Sequence, residues 1–130
     1  MRLGLFTALF HNLTLDQVIK AIKKLNISTV ELGTGNYPGD PHCKLSYLKD
    51  NKARQTFQKK LKDNGIAISA LSCHGNPLHP VKEVREKYIE TSRQTILLAE
   101  KLGINTVIDF SGCPGDSEGA KFPNWVTCPW

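Results

Sequence analysis

Three segments of the chain share one form: Leu25-Asn26-Ile27-Ser28-Thr29-Val30-Glu31, then Asp63-Asn64-Gly65-Ile66-Ala67-Ile68-Ser69, then Leu102-Gly103-Ile104-Asn105-Thr106-Val107-Ile108. Each begins where a charged, helix-like pattern stops at Asn or Gly, the residues that tolerate the left-handed backbone ending a helix. Each then runs into a short strand rich in β-branched residues. The anchoring isoleucines Ile27, Ile66 and Ile104 are 39 and 38 residues apart. A fixed period of that size marks a structural repeat, and the unit here is helix, tight turn, strand.

Between these strands the apolar period becomes helical. Thr14-Leu15-Asp16-Gln17 reads as a capping box, opening a helix with Leu15, Val18, Ile19, Ile22 and Leu25 on one face. A second helix is expected from Ala53 to Asn64, with Phe57 and Leu61 inward and a short turn before it at Leu45 to Leu48. A third, from about Val81 to Leu102, carries a stripe of Val84, Tyr88, Thr91, Thr95, Leu98 and Leu102. Ahead of them, Leu3 to Ala8 reads as a first strand. The order β-α-β-α-β-α-β belongs to an α/β protein with parallel strands and right-handed crossovers.

In such sheets and barrels, ligands bind at the carboxyl ends of the strands. That places Phe6 to His11, Glu31 to Cys43, Ser72 to His79 and Phe110 onward on the functional face. The segment Ser72-Cys73-His74-Gly75-Asn76-Pro77-Leu78-His79-Pro80 is the densest of these in reactive side chains. Its two prolines fix φ and restrict the residues before them, which stiffens the turn. The stretch from Phe110 to Trp130 is a long loop of Gly, Pro and aromatics, and long structureless loops in compact domains usually serve function.

The chain's 130 residues suit one domain, and no apolar run approaches the roughly 20 residues of a membrane helix. The N-terminus lacks the pattern of a secretory signal, so a cytoplasmic location is expected. The net charge of +5 is concentrated between Lys44 and Lys62. Only Tyr47 and Phe57 interleave there, so the run reads as a solvated helix face, which disfavours nucleic acid as a partner. The four cysteines form no C-x-x-C pair and are expected as free thiols. A zinc site from Cys73, His74, Cys113 and His42 matches no structural zinc spacing.

The start Arg2-Leu3-Gly4-Leu5-Phe6-Thr7, the strand end Val30-Glu31-Leu32-Gly33 and the segment Ser72 to Pro77 resemble the sugar phosphate isomerase/epimerase group. This group belongs to the xylose-isomerase-like TIM barrels (the AP endonuclease family 2 superfamily). The Tyr37-Pro38-Gly39-Asp40, Cys113-Pro114-Gly115-Asp116-Ser117 and Pro123 to Trp130 segments strengthen the resemblance. It covers the whole chain but only half of such a fold, whose usual size is about 250 residues. The expectation is therefore the N-terminal half of a (β/α)₈ barrel over residues 1–130, with four parallel βα units, truncated after strand 4.

The resemblance implies a metal-dependent sugar or sugar-phosphate isomerase or epimerase. Its divalent metal (Mn, Zn, Co or Mg) and its acid and base sit on strands of the second half. Catalytic residues are accordingly left unassigned, no cofactor is expected for these residues alone, and they are expected to be inactive in isolation. What carries over is substrate contact by Phe6, Glu31, His74 and Trp125. For His74 a structural role and, less favoured, metal ligation stay open; Glu31 could equally be hydrogen-bonded to neighbouring strands. His79 reads as a loop histidine, and His11 and His42 as exposed or supporting. Asp109 could point into the barrel or toward a helix.

Two other readings compete. A half barrel exposes strand edges and an apolar face, so it could act as a self-associating scaffold, for example a homodimer. Repair of DNA in the AP-endonuclease manner would need histidines at later strand ends, and the fourth ends Asp109-Phe110-Ser111.

Overall fold

A computed structural model describes residues 3–125. Four strands, β1 (Gly4–Phe6), β2 (Thr29–Gly33), β3 (Ala67–Ser72) and β4 (Val107–Ile108), lie in the order β1-β2-β3-β4, every neighbouring pair parallel. Three helices connect them: α1 (Leu15–Lys24), α2 (Asn51–Asp63) and α3 (Lys82–Leu102). Sequential parallel order with a helix between successive strands matches half of an eight-stranded barrel. Among the described residues no helix is long and apolar enough to cross a membrane.

The repeat seen in the sequence is a repeated hydrogen-bond closure. Asn26, Gly65 and Gly103 adopt positive φ of 55°, 69° and 72°. At each site the next amide reaches back five residues: Ile27 to the Ile22 carbonyl, Ile66 to Leu61, Ile104 to Ala99, at 3.0, 3.0 and 2.9 Å. The left-handed residue itself donates three positions back along the helix, Asn26 to Lys23, Gly65 to Lys62 and Gly103 to Glu100. This is the Schellman arrangement, which satisfies carbonyls a helix end would otherwise leave bare. Its usual apolar contact is supplied by the isoleucines, set against the buried Ile22, Leu61 and Ala99.

The core lies between the helices and one side of the sheet. Val18, Ile19 and Ile22 of α1, Phe57 and Leu61 of α2, and Leu98, Ala99 and Leu102 of α3 cover Val30, Leu32 and Leu71. Burying each large side chain contributes roughly 1.5–3 kcal/mol. Between β2 and β3 the register shifts: Val30 faces Ile68, but Glu31 faces Ala70. Ser69 is the extra residue of this bulge, and its hydroxyl donates to the Val30 carbonyl at 3.1 Å.

Several boundaries differ from the sequence reading, each for a local reason. The first strand stops at Phe6 instead of Ala8. Thr7 is buried with its hydroxyl on the Glu31 carbonyl, and the chain tightens into a 3₁₀ turn over Thr7–Phe10. The second helix starts at Asn51 because the Asp50 carboxylate caps the Ala53 amide at 2.9 Å. The fourth strand pairs only at Val107–Ile108, against Leu71 and Ser72 at the end of β3. Leu25, expected on the inner face of α1, is 59% exposed because the helix ends just before it. The Thr14–Gln17 capping box, the 3₁₀ turn at Leu45–Leu48 and inward Phe57 and Leu61 are as expected.

The three closures differ in one respect that can be measured. Gly103→Ala places a side chain at φ 72° and should cost about 1 kcal/mol, while Asn26→Gly relieves the same constraint and should add about 0.5 kcal/mol. Opposite shifts of the urea unfolding midpoint are expected; equal signs would mean that φ does not dominate these sites.

Candidate functional site

The inner side of the sheet, opposite the helices, is built by strand alternation. Phe6 pairs with Glu31 and Glu31 with Ala70, which puts these three on one face. Ile108, paired with Ser72, shares that face, and the alternation continues beyond the strand ends to His74 and Phe110.

At this end the rings meet. His74 stacks on Phe110, with centroids 4.6 Å apart and planes 8° from parallel. Tyr37 lies near-parallel to it at 6.2 Å and 23°, and Phe6 is tilted against it at 6.0 Å. Trp125 meets Phe110 edge-on at 6.4 Å. Of the four side chains singled out from the sequence, Phe6, His74 and Trp125 therefore belong to one aromatic wall. Glu31 lies one strand away on the same face, half-buried, and its carboxylate makes no hydrogen bond or ion pair among the described residues.

His74 is held by its backbone. Its amide donates to the Tyr37 carbonyl at 2.8 Å, and the Tyr37 amide returns a bond to the His74 carbonyl at 3.1 Å. Its Nε2 is buried without a partner. The next residue must be glycine, because a Cβ at Gly75 would lie 2.6 Å from Asn36 Nδ2 and 2.9 Å from the Tyr88 ring.

Asp109 points toward α3. Its Oδ2 accepts from the Ser92 hydroxyl and lies 3.7 Å from Cys73 Sγ, while its Oδ1 accepts from the amides of Gly75 at 3.0 Å and Phe110 at 2.8 Å. Asn76, also buried, holds the following loop: its side-chain amide brackets Cys113, donating to the carbonyl at 2.9 Å and accepting from the amide at 2.8 Å.

The remaining candidates separate from the wall. His79 is structural, its Nδ1 accepting from the Val81 amide just ahead of α3. His11 is exposed. His42, read as exposed or supporting, is buried: Nε2 bonds the Leu13 carbonyl at 2.9 Å, and the ring lines a cleft of about 470 Å³ with Leu15, Tyr47, Phe57 and Lys60. Packing against α1 and α2 draws this loop in. Cys43, Cys73 and Cys113 are free thiols, while Cys128 lies outside the described residues. Cys73 is buried, and desolvation pushes its thiol up, opposed by hydrogen bonding with Thr95 and reinforced by the charge of Asp109. Among the described residues no three His, Cys, Asp or Glu side chains gather closely enough to hold a metal ion.

Comparison with known sequences decides the wider setting. The family model for the xylose isomerase-like TIM barrel matches residues 19–128. The chain belongs to the xylose isomerase-like TIM barrel family. It is also 33% identical over 128 residues to the uncharacterized protein YfiH of Bacillus subtilis (strain 168), an alignment spanning 98% of this chain and 41% of that protein. Membership places the aromatic wall at the end of the barrel where this fold carries its active sites.

Two members of the wall, Tyr37 and Phe110, were not singled out by the residue reading. Phe110 had a signal, since it lies two positions after Ile108 and so shares its face. Tyr37 had none, because its place depends on an isolated bridge to His74 between distant loops.

The buried thiol of Cys43 yields a pH prediction. Burial, reinforced by Asp40 and opposed by Lys44, pushes it from 9.0 to about 12. Between those values the folded chain binds more protons than the unfolded one, so stability should fall as pH rises through that window. Comparing the unfolding midpoints of wild type and Cys43→Ala across alkaline pH isolates this slope. Cys43 should also resist alkylation until denaturant is added, and ready labelling of the native thiol would contradict its burial.

Proposed function

We propose that this chain supplies the sugar-contacting wall of a metal-dependent sugar or sugar-phosphate isomerase or epimerase. The observation that supports the reading best is the ring series Phe6, His74, Phe110 and Trp125 beside two polar groups without protein partners, His74 Nε2 and the Glu31 carboxylate. A sugar presents apolar C–H faces and a fringe of hydroxyls. Aromatic faces suit the former, while a neutral imidazole and a carboxylate suit the latter. An unpartnered buried polar atom such as His74 Nε2 is costly, so its satisfaction by a hydroxyl would favour binding.

Among the described residues, Glu31 and His74 offer the divalent metal of this chemistry two donors at most. No proton-transfer step is therefore assigned to residues of this chain. On this reading the 130 residues alone contact sugars, bind no stoichiometric divalent metal and do not interconvert ketose and aldose. Titration with pentoses, hexoses and their monophosphates, followed through the His74 and Trp125 ring signals by NMR, should show weak binding, and the Trp125 response should vanish in His74→Ala. Silence toward every sugar would overturn the contact role, and one tightly held metal per chain with ketose–aldose turnover would overturn the division of labour.

A second reading rests on the exposed apolar inner face. Ile108 and Phe110 are 38% and 52% exposed, and β1 and β4 each leave one edge unpaired among the described residues. Such a face and such edges favour self-association. Light scattering should then report a dimer that Phe110→Asp dissociates, whereas a monomer at all concentrations removes this reading.

A further inference from the structure

We propose that Asp109 is the positioning residue of the aromatic wall, fixing where the His74 and Phe110 rings lie relative to each other. The two rings belong to different strand ends, and stacking alone is worth only about 0.5–1.5 kcal/mol, too little to hold two loops in register. The Asp109 side chain joins them through the backbone. One oxygen, Oδ1, accepts from the amide of Gly75, next to His74, and from the amide of Phe110 itself, at 3.0 and 2.8 Å. The other oxygen is anchored to α3 by the Ser92 hydroxyl, which also contacts the Tyr88 carbonyl at 3.1 Å.

The arrangement uses acceptor geometry at both ends. An amide at position 109 could keep its oxygen on the Gly75 and Phe110 amides and turn its NH₂ toward Ser92 Oγ, leaving that hydroxyl to donate to Tyr88. Asp109→Asn should thus preserve the wall, whereas Asp109→Ala leaves two amides unpartnered and releases the stack. The purpose assigned to this geometry rests on the sugar-contacting reading, but the geometry can be tested without a sugar.

The first measurement is the NMR shift of the His74 ring protons in the 130-residue chain. The Phe110 ring moves them upfield when stacked, and Phe110→Ala calibrates that displacement. Most of it should vanish in Asp109→Ala and persist in Asp109→Asn, with Gly103→Ala controlling for a general loss of stability. Should Asp109→Ala fail to fold, Asp109→Leu, which keeps bulk but offers no acceptor, carries the test with the same expected loss. Unmoved His74 signals in a folded Ala or Leu variant would overturn the assignment, as would an equal change in Gly103→Ala.

The second measurement is sugar affinity, expected to fall roughly tenfold in Asp109→Ala as preorganisation is lost, and to be restored in Asp109→Asn. If the shifts behave as expected and no sugar binds the wild type, the substrate reading fails and the positioning role stands. If sugars bind and the Ala variant binds them equally with unmoved shifts, the positioning role fails and the substrate reading stands.

Discussion

Asn26, Gly65 and Gly103 turn the backbone left-handed at the end of each helix, and the isoleucine that follows closes a hydrogen bond five residues back. The rest of the molecule depends on that closure. It stops each helix at a fixed point, packs the isoleucine against the helix it has just left, and releases the chain in the direction of the next parallel strand. Because the same device is used three times, the strands start at a common level. Their carboxyl ends therefore emerge together, and loops that are distant in sequence can meet there.

This explains which parts of the structure were legible in the sequence. Helix stops, capping residues and apolar stripes are local, and their chemistry can be read within a few positions. The period of the isoleucines and the alternation of strands and helices followed from them, as did the address of His74. Edges were less legible, because they depend on competition. Thr7 diverts its strand by bonding the Glu31 carbonyl. Buried His42 and the ring of Tyr37 were hidden for another reason: each is placed by a loop folding onto a partner more than 25 residues away. Such contacts leave no periodic trace.

The aromatic wall and its polar supports divide the work between two sides of the sheet. The rings, His74 Nε2 and the Glu31 carboxylate face the barrel interior, while the hydrogen-bonded side chains behind them face the helices. Asp109, Ser92 and Cys73 sit behind the wall, as does the Thr34–Thr95 hydroxyl pair at 2.8 Å that ties the end of β2 to α3. Buried polar groups of this kind stabilise only when satisfied, and these are. The rigidity of the face is thus borrowed from the layer beneath it.

The bulge at Ser69 has a further consequence. Side chains along a strand alternate strictly, so Ile68 on the helix side would normally put positions 70, 72 and 74 on that side as well. The additional residue resets the count: Ala70 joins Glu31 on the inner face, Leu71 takes over the core position beside Leu32, and His74 emerges inward. The bulge acts as a frame shift in the pleat. Unbroken alternation from Ile68 would instead have turned Leu71 and Cys73 inward and Ser72 and His74 toward the helices.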